Sequence, residues 1–268
     1  MFMSEYKFNV EKITKELIDW IRDWFEFNGK DCNAIIGVSG GKDSSVAAAL
    51  CVEALGKDRV IGVLMPNKSQ DDIDYSYLLC THLGIRHIEI NIGSAVKGII
   101  EEMKHEYVYT GEGDASYRMP ISQQTLVNLP ARIRMSTLYA VSQSTYGRVV
   151  NTCNLSEDWI GYSTRWGDSV GDFAPLAQLT SEEVVAIGEY LGLPETLTRK
   201  TPSDGLTGNT DEDNFGFTYA TLNKYIRTGV CENKVVKMKI DTMHDKNFFK
   251  LHMPPCFTHK DLINKIVS

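Results

Sequence analysis

The 268-residue sequence lacks the features that send a chain into or across a membrane. No stretch approaches the roughly 20 consecutive apolar residues that a membrane-spanning helix needs. The first twelve residues contain Glu5, Lys7, Glu11 and Lys12, whereas a signal peptide has a basic start followed by an apolar run. We therefore expect a cytoplasmic protein that has no membrane partner.

Paired cysteines and an excess of positive charge are also missing. The six cysteines include no Cys-x-x-Cys pair, and the couples Cys80 with His82 and Cys256 with His259 fall short of a four-ligand metal site. Lys and Arg number 28 against 35 Asp and Glu, which gives a formal net charge of -7. We expect reduced, mostly buried thiols, and no nucleic-acid partner, because no basic field is available to attract a phosphate backbone.

Short apolar runs alternate with helical patterns through much of the chain. Strands are predicted at residues 33–38, 59–65, 86–92 and 147–152. Helices are predicted at residues 10–25, 46–55, 70–83, 95–104, 122–146, 181–191, 219–240 and 241–250. Such alternation produces right-handed βαβ crossovers. We therefore predict an α/β fold with a doubly wound, mostly parallel sheet that has helices on both faces.

No repeat, low-complexity tract or clear linker divides the sequence. We predict one domain over residues 1–268, with an N-terminal helix within 1–28 and a core with C-terminal helices within 29–268. Polar segments without periodicity occur at residues 106–121 and 199–216, and we interpret both as loops that close over a substrate.

A glycine-containing segment, Ser39 to Ser45, connects the first predicted strand to its helix. An open parallel sheet binds ligands at the carboxyl ends of its strands, and adjacent glycines beside a helix start let backbone N–H groups reach an anion. The spacing differs from both the mononucleotide loop and the dinucleotide fingerprint. The segment therefore predicts a phosphate or pyrophosphate site for ATP, and its candidate contacts are Gly37, Val38, Ser39, Gly40, Gly41, Lys42, Asp43 and Ser44.

Asp43 is unusual in such a loop, because a carboxylate repels bound phosphates unless a cation lies between them. A Mg²⁺ ligand is one interpretation, and an acid that only complements the helix dipole is the other. Lys42 either contacts phosphate or points into solvent.

The sequence Ser-Gly-Gly-Lys-Asp-Ser resembles the pyrophosphate-binding motif of the ATP pyrophosphatase group, whose members split ATP between the α and β phosphates. Further segments resemble the ammonia-dependent NAD synthetases of that group, in chain order from about residue 34 to residue 250. These segments are Asn128–Met135, Thr152–Glu157, Gly161–Asp168, Pro202–Leu206 and Thr210–Glu212.

The resemblance implies an ATP pyrophosphatase-type fold and a ligase that forms an amide C–N bond. ATP would adenylate the nicotinate carboxylate of deamido-NAD, and ammonia would displace AMP, with Mg²⁺ as cofactor and no catalytic nucleophile from the protein. Asp43 and Glu157 would hold Mg²⁺, and Thr152 and Ser203 would contact ATP. The residues that would face deamido-NAD are Arg132, Arg165, Asp172 and Lys250.

Structural interpretations stay open for three of these residues: Arg132 and Glu157 as surface charges, and Asp172 as part of a turn. The chain also departs from the family where many members have a phosphate-binding lysine, since Thr180 and Ser181 stand there.

The resemblance further implies a homodimer with its dinucleotide site near the subunit interface. The helix that carries Trp20 and Trp24 is a candidate for part of that surface. Free ammonia, or ammonia from a separate protein, is the expected nitrogen source. A tRNA-thiolating enzyme of the same group and a nucleotide-binding regulator without catalysis are the alternatives.

Overall fold

Two sheets form within the described residues 6–109, 115–200 and 210–255 of the computed structural model. The strands are β1 (Asn33–Gly37), β2 (Val60–Leu64), β3 (Arg86–Glu89), β4 (Tyr107–Tyr109), β5 (Ala115–Arg118) and β6 (Gly147–Val149). Four of them make a parallel sheet in the order β3-β2-β1-β6, and β4 and β5 make an antiparallel pair.

The strand order reverses direction at β1. From β1 the chain builds outward through β2 to β3, and it later returns to place β6 on the other side of β1. In an open parallel sheet, ligands bind outside the carboxyl ends of the two strands that flank such a reversal. The segments that follow β1 and β6 therefore meet at the position expected for a binding site.

Helices surround this sheet. They are α1 (Val10–Asn28), α2 (Lys42–Leu55), α3 (Ile73–Leu83), α4 (Gly93–His105), α5 (Gln123–Ser144), α6 (Leu155–Ile160), α7 (Ser181–Tyr190), α8 (Glu195–Thr198), α9 (Asp211–Phe215), α10 (Tyr219–Thr228) and α11 (Lys234–Asn247). Among the helices of the described residues, none combines the length and apolar character that crossing a membrane requires.

Successive side chains of β1 point to opposite faces of the sheet and pack into two separate hydrophobic cores. Ile36 packs with Leu50 of α2 and Ile187 of α7 on one face, whereas Ile35 packs with Met135 of α5 on the other. Helices therefore cover both faces of the sheet, and the predicted doubly wound α/β fold is confirmed.

Helix α1 packs against α2 and α7 within the chain. Its Trp24 stacks on Phe173 with ring centroids 4.6 Å apart, so this tryptophan contributes to the core instead of an outer surface. Trp20 is 42% exposed and is the one of the two that α1 offers to solvent.

The structure differs from the predicted elements at several places. The first loop contains the hairpin of β4 and β5, and the second contains α9. Helix α6 was not predicted. Helices are predicted at residues 219–240 and 241–250, but the break lies earlier, because Gly229 adopts a left-handed conformation with φ of 70° and ends α10 before α11 begins at Lys234. Helix α2 begins at Lys42, four residues before the predicted start at residue 46.

Candidate active site

The glycine loop after β1 is held in shape by its own serines. The hydroxyl groups of Ser44 and Ser45 donate to the carbonyl oxygen of Gly41 at 3.2 and 2.7 Å, and the backbone N–H of Ser39 donates to Ser44 Oγ at 3.3 Å. Gly40 has φ of 74°, and a Cβ built there would lie 2.6 Å from Tyr75 Cβ. Only glycine combines this conformation with such a close approach of α3.

Two acidic side chains meet beside this loop, each from the first turn of a helix. Asp43 lies in the first turn of α2 and Glu157 in the first turn of α6. Asn154 connects them: its Oδ1 accepts from the backbone N–H of Glu157 at 3.1 Å, and its Nδ2 donates to Asp43 Oδ1 at 2.9 Å. Helix α6 therefore starts at the place where it presents Glu157 to Asp43.

Lys42 faces both carboxylates. Its Nζ lies 2.7 Å from Asp43 Oδ2 and 3.9 Å from Glu157 Oε1, and its side chain is 8% exposed. Burial opposes the charge of Lys42, but Asp43 and Glu157 outweigh burial and raise the pKa of this ammonium group. Burial and the nearby Asp43 raise the pKa of the Glu157 carboxyl, so this acid is costly to ionise without a cation.

The paired carboxylates suit a hard dication. Mg²⁺ in nucleotide sites takes one or two carboxylates and completes its shell with phosphate oxygens and water. Within residues 6–109, 115–200 and 210–255, no group of three or more His, Cys, Asp or Glu side chains is arranged to hold a metal. Asp43 and Glu157 thus fit a metal that arrives with a phosphate, and they do not suit a closed structural site.

A cavity of about 530 Å³ opens next to Lys42. Its volume is within the range of small-ligand sites. Lys42 is the residue of the glycine loop that lines this cavity. The lining also includes Ser181, Thr198, Arg199, Lys200, Thr210, Asp211 and Tyr219.

Ser181 is committed to a buried hydrogen-bond network. Its backbone N–H donates to Ser156 Oγ at 3.0 Å, and Asn223 Nδ2 donates to Ser181 Oγ at 3.1 Å. Ser156 Oγ in turn donates to Asn223 Oδ1 at 2.6 Å. The position at which a lysine was expected thus ties α6, α7 and α10 together.

Three of the residues predicted to bind deamido-NAD lie near the loop that follows α6. Arg132 Nε donates to the carbonyl oxygen of Arg165 at 3.2 Å, and Lys250 Nζ donates to the carbonyl oxygens of Gly161 and Ser163 at 2.8 and 3.3 Å. The Arg165 guanidinium lies 5.0 Å from the ring centroid of Trp166. Arg165 Nε and Ser163 Oγ are buried and have no hydrogen-bond partner among the described residues. Buried unpaired donors of this kind are expected where a polar ligand completes a site.

Asp172 has a different position. Its Oδ2 accepts from the backbone N–H of Val149 at 2.7 Å, and its Oδ1 accepts from the hydroxyl of Tyr139 at 3.2 Å. The two carboxylate oxygens therefore connect the segment around Asp172 to β6 and α5. This carboxylate does not lie with Arg132 and Arg165. Thr152 lies half-buried between β6 and α6 and precedes Glu157 in the chain. Ser203 is outside the described residues.

Comparison with known proteins decides the family. A family model described as NAD synthase matches residues 13–254, which is most of the chain. The chain belongs to the NAD synthase family. Its relatives include the NH3-dependent NAD(+) synthetase of Pyrococcus furiosus, 35% identical over 82% of this chain and 79% of that protein. The synthetase of the same name from Carboxydothermus hydrogenoformans is 32% identical over 92% and 97%.

Solved structures of similar proteins have the same fold. The NMN synthetase of Francisella tularensis has a TM-score of 0.81 and 28% identity, with 95% of this chain and 100% of that chain covered. The NH3-dependent NAD synthetase of Campylobacter jejuni has a TM-score of 0.73 and 28% identity, with 94% and 100% covered. The predicted family, ATP pyrophosphatase-type fold and amide-forming ligase class are confirmed, and a tRNA-thiolating enzyme is not favoured.

Three residues of this NAD synthase site were given no role by sequence reasoning. Asn154 connects the acid pair, and its pattern of a capping residue with Glu three positions later is a recognisable helix start. Asp168 accepts from the backbone N–H of Thr164 at 2.8 Å and shapes the substrate loop. Tyr219 faces Lys42 from α10, and no local pattern in the sequence links these two positions.

Proposed function

We propose that this chain makes NAD from deamido-NAD, ATP and ammonia. The single feature that carries the proposal is the position of the glycine loop and the Asp43–Glu157 pair, which meet where the strand order reverses between β1 and β6. Phosphate-binding backbone and metal-binding carboxylates at one point suit a reaction in which ATP loses pyrophosphate.

Asp43 and Glu157 would hold Mg²⁺ in this scheme, and Thr152 would contact ATP. The metal, when bound, supplies positive charge that stabilises the departing pyrophosphate. The chain's own groups position the reactants: Gly40 and Gly41 let the backbone approach the phosphates, and Asn154 keeps the acid pair in place. Positioning and charge stabilisation are sufficient here, since no protein nucleophile is required.

Arg132, Arg165 and Lys250 would bind deamido-NAD beside this centre. A nicotinate oxygen bonds to the α-phosphorus of ATP, and the bond to pyrophosphate breaks. Ammonia then bonds to the acyl carbon and loses a proton, and AMP leaves with the electron pair of the broken C–O bond. Exclusion of water from the acyl adenylate favours amide formation over hydrolysis.

The proposal includes a homodimer in the cytoplasm that acts as one unit over residues 1–268. The homodimer is supported by the exposed apolar side chains of the hairpin and the start of α5, which are Tyr109, Tyr117, Leu126 and Val127. Closure of the two polar loops over substrate stays a prediction.

A second substrate is favoured by one observation. The NMN synthetase of Francisella tularensis has a TM-score of 0.81 to this chain, against 0.73 for the NAD synthetase of Campylobacter jejuni. An enzyme that makes NMN by this chemistry acts on the mononucleotide acid, which carries the same nicotinate carboxylate without the AMP half. The test therefore compares deamido-NAD with the mononucleotide acid as substrates.

The test supplies ATP, Mg²⁺ and ammonium with either deamido-NAD or nicotinate mononucleotide, and measures AMP, pyrophosphate and the amide. We expect one AMP and one pyrophosphate for each NAD formed from deamido-NAD. A higher kcat/KM with nicotinate mononucleotide than with deamido-NAD would make the mononucleotide the preferred substrate and leave the proposed reaction unchanged. Release of ADP, or no nucleotide product with either acid, would overturn the proposal.

A further inference from the structure

Lys42 occupies the space that faces both proposed metal ligands. The ammonium group is 2.7 Å from Asp43 Oδ2 and 3.9 Å from Glu157 Oε1. A dication that contacts the same two carboxylates has to take the place of this ammonium group, because two cations at one position repel strongly in a buried setting.

Lys42 also borders a cavity that could accommodate its ammonium group. Its side chain lines the cavity together with Ser181 and Thr198, and its Nζ lies 5.6 Å from the ring centroid of Tyr219. The negative charges that Lys42 meets come from three elements: Asp43 on its own helix, Glu157 on α6 and Asp211 on α9. Because the four-carbon lysine stem is flexible, rotation about its bonds would carry the ammonium group from the two carboxylates toward the cavity.

We propose that Lys42 is an internal competitor for the metal: it neutralises Asp43 and Glu157 until ATP and Mg²⁺ arrive together, and it then moves onto the phosphates. This inference rests on the proposed function, because it uses the metal site assigned there. It makes Lys42 a positioning residue that couples metal binding to nucleotide binding.

The coupling has a simple physical basis. Without phosphates, displacement of Lys42 moves a buried ammonium group away from Asp43 and Glu157, and this loss weakens the binding of the metal. With phosphates present, the displaced ammonium gains new anionic partners and the metal gains additional oxygen ligands. Each ligand thus strengthens the binding of the other, as thermodynamic linkage requires.

The same movement compensates for Ser181. That residue is hydrogen-bonded to Asn223 and carries no charge for the phosphates, whereas Lys42 borders the same cavity. The positive charge is therefore supplied from the start of α2.

The test is the affinity of the full-length protein for Mn²⁺ alone, measured by titration calorimetry and electron paramagnetic resonance. The Lys42→Met variant keeps most of the side-chain length and removes the charge. We expect it to bind Mn²⁺ about tenfold more tightly than the wild type without nucleotide. With a non-hydrolysable ATP analogue present, we expect this advantage to disappear. Equal or weaker Mn²⁺ binding by Lys42→Met without nucleotide would overturn the inference.

Two controls establish whether the gain in Mn²⁺ affinity is specific to Lys42 and to the acid pair. Lys200→Met removes a different cation from the same cavity, and an equal gain in that variant would indicate a general field effect and overturn the competition. Asp43→Asn combined with Lys42→Met should abolish Mn²⁺ binding. If binding persists, the metal lies elsewhere, and the proposed metal site fails along with the competition.

Circular dichroism confirms that each variant is folded. Should Lys42→Met not fold, Lys42→Gln provides the same comparison, since it keeps a polar end group near Asp43 without the charge. Its Mn²⁺ affinity without nucleotide should also exceed that of the wild type, and an unchanged value would count against the competition.

Discussion

At the scale of single residues, the site depends on side chains that start helices. Asp43 and Glu157 belong to different helices, and Asn154 joins them with one amide group. Asp43 was predicted because a carboxylate beside a phosphate loop requires a cation, and Glu157 was predicted from the resemblance to the family. Asn154 was overlooked because its role depends on a contact across 111 residues of chain.

Loss of a proposed metal ligand provides the first prediction. Asp43→Asn and Glu157→Gln should each lower kcat/KM by about a hundredfold or more, because charge stabilisation of the leaving pyrophosphate is lost. Steady-state AMP release measures the effect. Glu102→Gln, at an exposed position on helix α4, is the matched control and should keep the wild-type rate. Full Mg²⁺-dependent activity in Asp43→Asn would remove that residue from the metal site.

The two loop glycines provide the second prediction. Gly40→Ala should destabilise the protein by about 2 kcal/mol, since alanine is strained at a φ of 74° and its Cβ meets Tyr75. Gly41→Ala should keep its stability, because the nearest atom to its Cβ is Ser39 Oγ at 3.4 Å, yet weaken ATP binding. Urea unfolding and ATP titration distinguish the two variants, and equal stability of both would contradict the argument.

At the scale of elements, prediction succeeded where periodicity is long. Helices α1, α5 and α7 span several turns, so their apolar spacing is visible in the sequence. Helix α6 has 6 residues and α9 has 5, which is too short for a period to appear. The capping residues that start these two helices were the available local sign.

A buried ion pair between elements gives the third prediction. Arg227 of α10 and Tyr6 of the N-terminal segment both donate to Glu183 of α7. Burial alone would raise the pKa of Glu183, but these hydrogen bonds and one from the backbone N–H of Thr180 outweigh burial and lower it. The charged form is therefore favoured in the folded protein.

We expect Glu183→Gln to lower the free energy of unfolding by about 3 kcal/mol at pH 7. Because the folded pKa of Glu183 lies below the ordinary 4.5, this stabilisation is present above pH 4.5 and is lost as the pH falls through the folded pKa. The difference from the wild type should shrink accordingly in urea unfolding below pH 4.5. Glu232→Gln, which breaks an exposed pair with Lys224, should leave the free energy of unfolding nearly unchanged, because solvent screens exposed pairs. A difference that does not change with pH would exclude the ionic explanation.

At the scale of the whole molecule, the site joins distant parts of the chain. The glycine loop was predicted from its place between a strand and a helix, whereas Arg132, Glu157 and Lys250 were predicted from the resemblance to the family. The contact of Tyr219 with Asp211 was not predicted, since it depends on how α9 and α10 pack around the cavity. Local patterns determine which groups are available, and packing determines which of them face each other.

Assembly is the property of the whole molecule that gives the last prediction. We expect a dimer of about 60 kDa from a chain of 30.1 kDa, measured by analytical ultracentrifugation. Helix α1 packs inward, so the start of α5, where Leu126 is 43% exposed, is the better candidate surface. Leu126→Glu should shift the protein toward the monomer, because a charge at an apolar interface is costly to bury. Phe27→Glu, at an 86% exposed position on α1, should remain dimeric. Dissociation by Phe27→Glu alone would instead place the interface on α1, and a wild-type monomer would exclude both surfaces.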